Sequence, residues 1–202
     1  MIQAISLLLI AFLIFQMLKK YKLSIEYSGP FYEDDIDDKE IVNEKVFWQI
    51  VSDNYSSNYN THIRNISEEL RNLTNKDLQI FQNTMDFLMA RSYTSELWNR
   101  VYCINLGCSD DCFEYFRTWM ISQGKDIFYN TMKDSDYIKY FGRKELLQNY
   151  EGFGYVAYEI ADQRGLTLVR NSLVAPYELQ TPENITSIGI GGIFLSLITW
   201  FN

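Results

Sequence analysis

The sequence predicts an all-α fold: a compact domain of about six helices behind an N-terminal transmembrane helix. Three observations carry that expectation. Apolar residues from Val42 to Asp162 recur at helical spacing, alternation of the strand kind is scarce, and the first uncharged run is long enough to cross a bilayer. The organisation that follows is an anchor at residues 1–23, an acidic linker at 24–41, a helical domain at 42–165 and an irregular segment with an apolar tail at 166–202.

The anchor is Ile2 to Leu18, "IQAISLLLIAFLIFQML", which contains no charged residue. As a helix this run is about 26 Å long, and snorkelling lysines extend its reach toward the roughly 30 Å hydrocarbon core. A cleaved signal peptide competes with this reading, but its basic residues would precede the run, and here Lys19, Lys20 and Lys22 follow it. No small-x-small cleavage site is evident, which favours an uncleaved anchor. Positive charge on its C-terminal side predicts a single-pass membrane protein whose main domain faces the cytoplasm. The cysteines Cys103, Cys108 and Cys112 agree: an odd count within ten residues is a poor disulfide framework, and reduced thiols suit that compartment. Asn54, Asn65, Asn72 and Asn184 begin glycosylation sequons, which would matter only in a secreted domain.

Glu26 to Glu40, "EYSGPFYEDDIDDKE", reads as a self-repelling spacer; a calcium loop would need alternating ligands and a turn glycine that are not there. The first helix follows, with Val46, Phe47, Ile50 and Val51 on one face. His62 to Leu73 forms the second, with Ile63, Ile66, Leu70 and Leu73 as its stripe. Thr74 caps the third, with Asp77 close to a capping box, and Leu78, Phe81, Met85, Leu88 and Met89 turn inward before Arg91. Thr94 or Ser95 caps the fourth, where Leu97, Val101 and Ile104 form one row, Trp98 and Tyr102 the next, and Gly107 the end. The fifth begins at Ser109, a shorter helix covers Ile127 to Met132, and Leu146 to Asp162 makes the last. Ile185 to Phe201, uncharged and glycine-bearing, either spans as a second helix or docks on the domain as a core segment.

The chemistry-bearing stretch is "LGCSDDCFEYFRTWMISQG", Leu106 to Gly124. Ser109 fits an N-cap, and Asp110 and Asp111 then favour the positive helix end by roughly 0.3–1 kcal/mol each. Phe113, Phe116 and Met120, with Tyr115 and Trp119, form rows of the core kind. Arg117 pairs with Glu114 on the helix surface, or is partly buried and braces Asp110 or Asp111. Cys108 at a helix start is a weak nucleophile candidate, because two carboxylates oppose thiolate formation. Three cysteines with His62 distant make a poor metal set, so no metal or other cofactor is expected. "GFGYVA", Gly152 to Ala157, mimics a dinucleotide fingerprint without the strand that should precede it. A net charge of −8 and the lack of a basic stripe argue against a nucleic-acid partner.

The segment "SYTSELWNRVYCINLGCSDDCFEYFRTWMISQGKDIFYNTMKD" resembles the hallmark region of domain of unknown function family 4240. The matching positions are Leu97, Trp98, Tyr102, Ile104, Gly107 to Asp111, Phe113, Phe116, Arg117, Trp119, Gln123 and Gly124, with "VFWQIV" and "YVAYEI" similar to the flanking helices. The chain departs from the pattern at Leu106, where the family commonly has a second glycine, and Cys103 and Cys112 lie outside it. The resemblance implies an all-helical domain, mostly of bacterial origin, whose motif clusters at one helix junction; it implies no activity. The expected role is a membrane-anchored module that binds a protein or small ligand. Its candidate surface is Trp98, Tyr102, Gly107, Cys108, Ser109, Asp110, Asp111, Arg117, Trp119 and Gln123. The alternative is a hydrolase using Asp110 or Asp111 in a cleft.

Overall fold

The computed structural model describes residues 41–141 and 150–171. The anchor Ile2–Leu18, the spacer and the tail Ile185–Phe201 lie outside the described residues, as does the predicted start of the last helix at Leu146. Among the described residues there are seven α-helices, one 3-10 helix and no strand. No helix among them is long and apolar enough to cross a membrane.

In chain order the helices are α1 (Glu44–Asp53), α2 (Tyr59–Leu70), α3 (Asn75–Arg91), α4 (Ser95–Asn105), α5 (Asp110–Ser122), α6 (Lys125–Lys133), a 3-10 turn (Ser135–Tyr140) and α7 (Glu151–Gln163). Their starts follow local chemistry. Asn43, Asn58, Thr74, Thr94 and Ser109 each accept a backbone N–H of the first turn through the side chain. Thr74 also donates its hydroxyl to the Asp77 carboxylate at 2.6 Å, so the two residues meet as the spacing suggests, through the hydroxyl.

From Phe116 to Ser122 every residue of α5 is buried, with Phe113, Phe116, Trp119, Met120 and Ile121 in the core. A helix apolar on most sides belongs at the centre of its domain. α7 packs against α2, α3 and α5, and α5 also meets α3, α4 and α6. Two glycines of "GFGYVA" permit this packing: a Cβ on Gly152 would overlap the Tyr59 hydroxyl, and one on Gly154 would touch Thr118 of α5. The segment resembling a nucleotide fingerprint is therefore a helix–helix contact.

Three expectations change. Val46 is 44% exposed while Trp48 is buried, because α1 turns Trp48 toward Phe47, Phe128 and Tyr129. α2 starts at Tyr59, and its fully buried polar residue is His62, which packs among Tyr55, Tyr150 and Phe153. α4 closes with Leu106 in the left-handed region at φ 60°, one residue before Gly107. The Gly107 N–H reaches back to the Tyr102 carbonyl at 2.9 Å, the six-to-one bond of a Schellman end.

Polar contacts tie the helices at their ends. Arg164 after α7 donates to the Leu70 and Arg71 carbonyls and to Asn75, gripping the α2–α3 corner. Arg100 of α4 pairs with Asp136 at 2.9 Å. Tyr129 donates to Glu44, which also accepts from Trp48 Nε1.

Candidate functional site

The motif residues divide by burial. Trp98, Arg117 and Trp119 are buried, Tyr102, Gly107, Cys108 and Gln123 are half-buried, and Ser109, Asp110 and Asp111 are exposed. Most of the set converges on the α4–α5 junction. Trp98 Nε1 donates to the Cys108 carbonyl at 3.1 Å, and the indole stacks on Phe113 with ring centres 4.8 Å apart. Ser109 caps α5 through the Cys112 N–H at 3.2 Å. The Tyr93 hydroxyl donates to Asp110 at 3.2 Å. Trp119 and Gln123 lie further along, at the other end of α5: Trp119 packs edge-on to Phe141, and Gln123 accepts from Tyr55.

Arg117 is neither a surface partner of Glu114 nor a direct brace for an aspartate. It is 4% exposed and donates Nη1 to the Met89 carbonyl at 2.6 Å and Nε to the Phe113 carbonyl. Its guanidinium lies 4.7 Å from the centre of the Tyr93 ring and 4.9 Å from that of Phe113. Burial pulls its pKa down to about 10, against the field of Glu114, Tyr93 and Asp110. The link to Asp110 is thus indirect: Tyr93 offers its ring to Arg117 and its hydroxyl to the carboxylate.

Burial, and then the neighbouring Cys112, push the Cys108 thiol far above its ordinary range. That is the reverse of an activated nucleophile. Cys112 Sγ accepts from Asn105, and all three cysteines are unbridged. Among the described residues no three His, Cys, Asp or Glu side chains converge as metal donors.

The more enclosed of two concavities lies behind the motif. A cavity of about 240 Å³ opens between α3, α5 and α7, lined by Asp86, Met89, Glu114, Arg117, Gly154 and Tyr158 among others. A more open groove of about 520 Å³, lined by Trp48, Gln123 and Lys125 among others, runs between α1 and the start of α6. Neither is lined by Asp110 or Asp111. Sequence reasoning found Arg117 but missed Asp86, Tyr93 and Tyr158. The only local sign of Asp86 is a carboxylate beside Met85 on a helix whose inward row includes Met85 and Met89.

Fold and motif define an all-helical domain organised around a clasped pair of helices. Residues 42–163 match the family described as "Protein of unknown function (DUF4240)", and the chain belongs to that family. Comparison with curated proteins and with solved structures gave no match.

Proposed function

We propose that this chain is a membrane-tethered helical module that binds a small ligand in the cavity between α3, α5 and α7. One observation carries the reading: a buried arginine of the family motif, Arg117, lines an indentation where charged groups from three helices converge. The α4–α5 junction is then the clasp that holds Arg117 in place. Tethering rests on the uncharged run Ile2–Leu18 and the lysines behind it, which favour a cytoplasmic domain.

A hydrolase would need Asp110 or Asp111 in a cleft. Both stand exposed in the first turn of α5, so bond breaking there has little geometric support. A second reading uses the outer edge of the junction as a face for a protein partner. Leu106, 57% exposed and in a backbone region that L-residues disfavour, beside the exposed aspartates, is the feature that favours it.

Native mass spectrometry of the full chain, purified in detergent from its host, tests the cavity reading. The expected spectrum carries a small-molecule adduct that Gly154→Leu, which fills the cavity, removes. Bare protein in both samples, or an adduct indifferent to Gly154→Leu, overturns it. Loss of a protein partner on replacing Asp110 and Asp111 by asparagine, with the adduct unchanged, would support the junction face instead.

A further inference from the structure

Both ends of the helical domain are pinned to α3. The chain enters at Ile41, whose carbonyl accepts from Asn83 Nδ2 at 3.0 Å, and the Asn43 N–H donates to Thr84 Oγ1 at 3.0 Å. After α7 it continues as residues 165–171, a strap in which Leu166 and Leu168 pack on the core. There Val169 donates its N–H to Gln79 Oε1 at 2.9 Å and accepts from Gln79 Nε2 at 2.8 Å. Gln79 and Asn83 stand four apart on α3 and so are neighbours on its surface. Gln79 Nε2 also donates to Asn83 Oδ1 at 2.9 Å.

These bonds form one oriented chain. A side-chain amide carries N–H donors at its nitrogen and an acceptor at its oxygen. Val169 uses both kinds, which fixes the direction the Gln79 amide faces. The other N–H of Gln79 then goes to Asn83 Oδ1, and that turns Asn83 Nδ2 toward the Ile41 carbonyl. Asn83 is buried, so water cannot readily replace a partner it loses. With Val169 gone, the Gln79 amide is free to turn. A turned Gln79 presents its oxygen to the Asn83 oxygen, and Asn83 must turn in response and abandon Ile41.

The strap reaches the cavity. Arg170, next after Val169, lines it together with Asp86. Burial raises the Asp86 pKa, and the Gln82 amide and the Arg170 charge oppose that shift, so the strap's arginine acts on a carboxylate of the cavity wall. At the other end of the chain of bonds, Ile41 is where the acidic spacer joins the helices.

We propose that Gln79 and Asn83 are a relay between the cavity and the spacer: while the strap is seated on Gln79 the join at Ile41 is held, and when the strap is displaced the join loosens. A cavity occupant that moved Arg170 would work the relay from one end, and a pull on the spacer would work it from the other with the same coupling. The relay does not depend on what fills the cavity, and its test uses no ligand.

That test is hydrogen exchange of the full chain in detergent, read at the Asn43 and Val169 amides. Gln79→Leu removes the bonds to Val169, and Gln79 makes no hydrogen bond to Ile41 or Asn43. The variant should nonetheless speed exchange at Asn43 by about fivefold, the protection that about one hydrogen bond supplies. Asn83→Leu removes the donor to Ile41 and leaves Gln79 both bonds to Val169, yet should speed exchange at Val169 by a similar factor. The α5 amides, outside the relay, should exchange as in wild type. Melting of each variant checks that it folds. Gln79 is half-buried, so its variant carries the test alone if Asn83→Leu does not fold. The proposal is overturned if each variant loosens only the segment it touches. It is also overturned if α5 loosens by the same factor, because the effect is then a general loss of stability.

Discussion

Leu106 is the only non-glycine residue with positive φ among the described residues, and its side chain is mostly exposed. The left-handed region costs an L-residue about 1–2 kcal/mol, and a glycine there avoids that cost while losing some entropy on folding. Leu106→Gly should therefore stabilise the domain by about 0.5–1 kcal/mol, read as a higher urea midpoint; an unchanged or lower midpoint would mean that Leu106 packs on something. His62 makes the opposite kind of contribution. Burial lowers its pKa from 6.5 to about 4, so the fold disfavours the imidazolium and the unfolded chain binds more protons between those values. Stability is then complete above about pH 6.5 and drains by roughly 2–3 kcal/mol as pH falls to about 4. Melting curves of wild type and His62→Phe should diverge in steepness across that window, and equal pH dependence would remove His62 as the cause. Neither residue was legible in one dimension. A neutral imidazole serves as a core ring only because Tyr55, Tyr150 and Phe153, distant in sequence, surround it. The strain at Leu106 needs the backbone angle, although the glycine beside it marks the helix end.

At the scale of helices, the caps were the most readable feature, because a cap is a contact between residues three apart. Thr74, Thr94 and Ser109 stand where their side chains can take an N–H of the following turn, and they do. Arg117 was not readable in the same way: its main acceptor, the Met89 carbonyl, sits 28 positions earlier and reaches it only when α3 packs on α5. The clasp and the arginine can be separated by mutation. Trp98→Phe keeps a ring against Phe113 but removes the donor to the Cys108 carbonyl, and should cost about 1–2 kcal/mol. Arg117→Met keeps apolar bulk but leaves the Met89 carbonyl with only the longer bond from the Ser92 hydroxyl and takes the cation from Tyr93, and should cost about 2–4 kcal/mol. Arg117→Lys should restore little of that, since an ammonium cannot serve two carbonyls and two ring faces in the guanidinium's geometry. Chemical denaturation checks all three; a lysine variant as stable as wild type would show that charge alone matters at this position.

For the whole molecule, the class was readable because burial on one helix face leaves its period in the sequence, whereas the cavity draws on positions as far apart as Asp86, Arg117 and Tyr158 and leaves none. The proposed membrane tether is the reverse: it would be a property of one contiguous run and three neighbouring charges, and the proposal stands on composition alone. Moving an uncharged helix of that length out of lipid would expose most of its side chains to water, so a tethered chain should resist alkaline extraction. The proposed orientation rests on Lys19, Lys20 and Lys22, since cationic residues are retained on the cytoplasmic side. In intact cells the full chain should sediment with membranes, and the domain should survive protease added outside but not after the membrane is permeabilised. Replacing the three lysines with serine should weaken that bias and expose a fraction of the domain to the external protease. A chain that stays soluble after lysis would remove the tether. A domain cut in intact cells would reverse its orientation and place the half-buried cysteines in an oxidising space, where their unbridged state would need another cause.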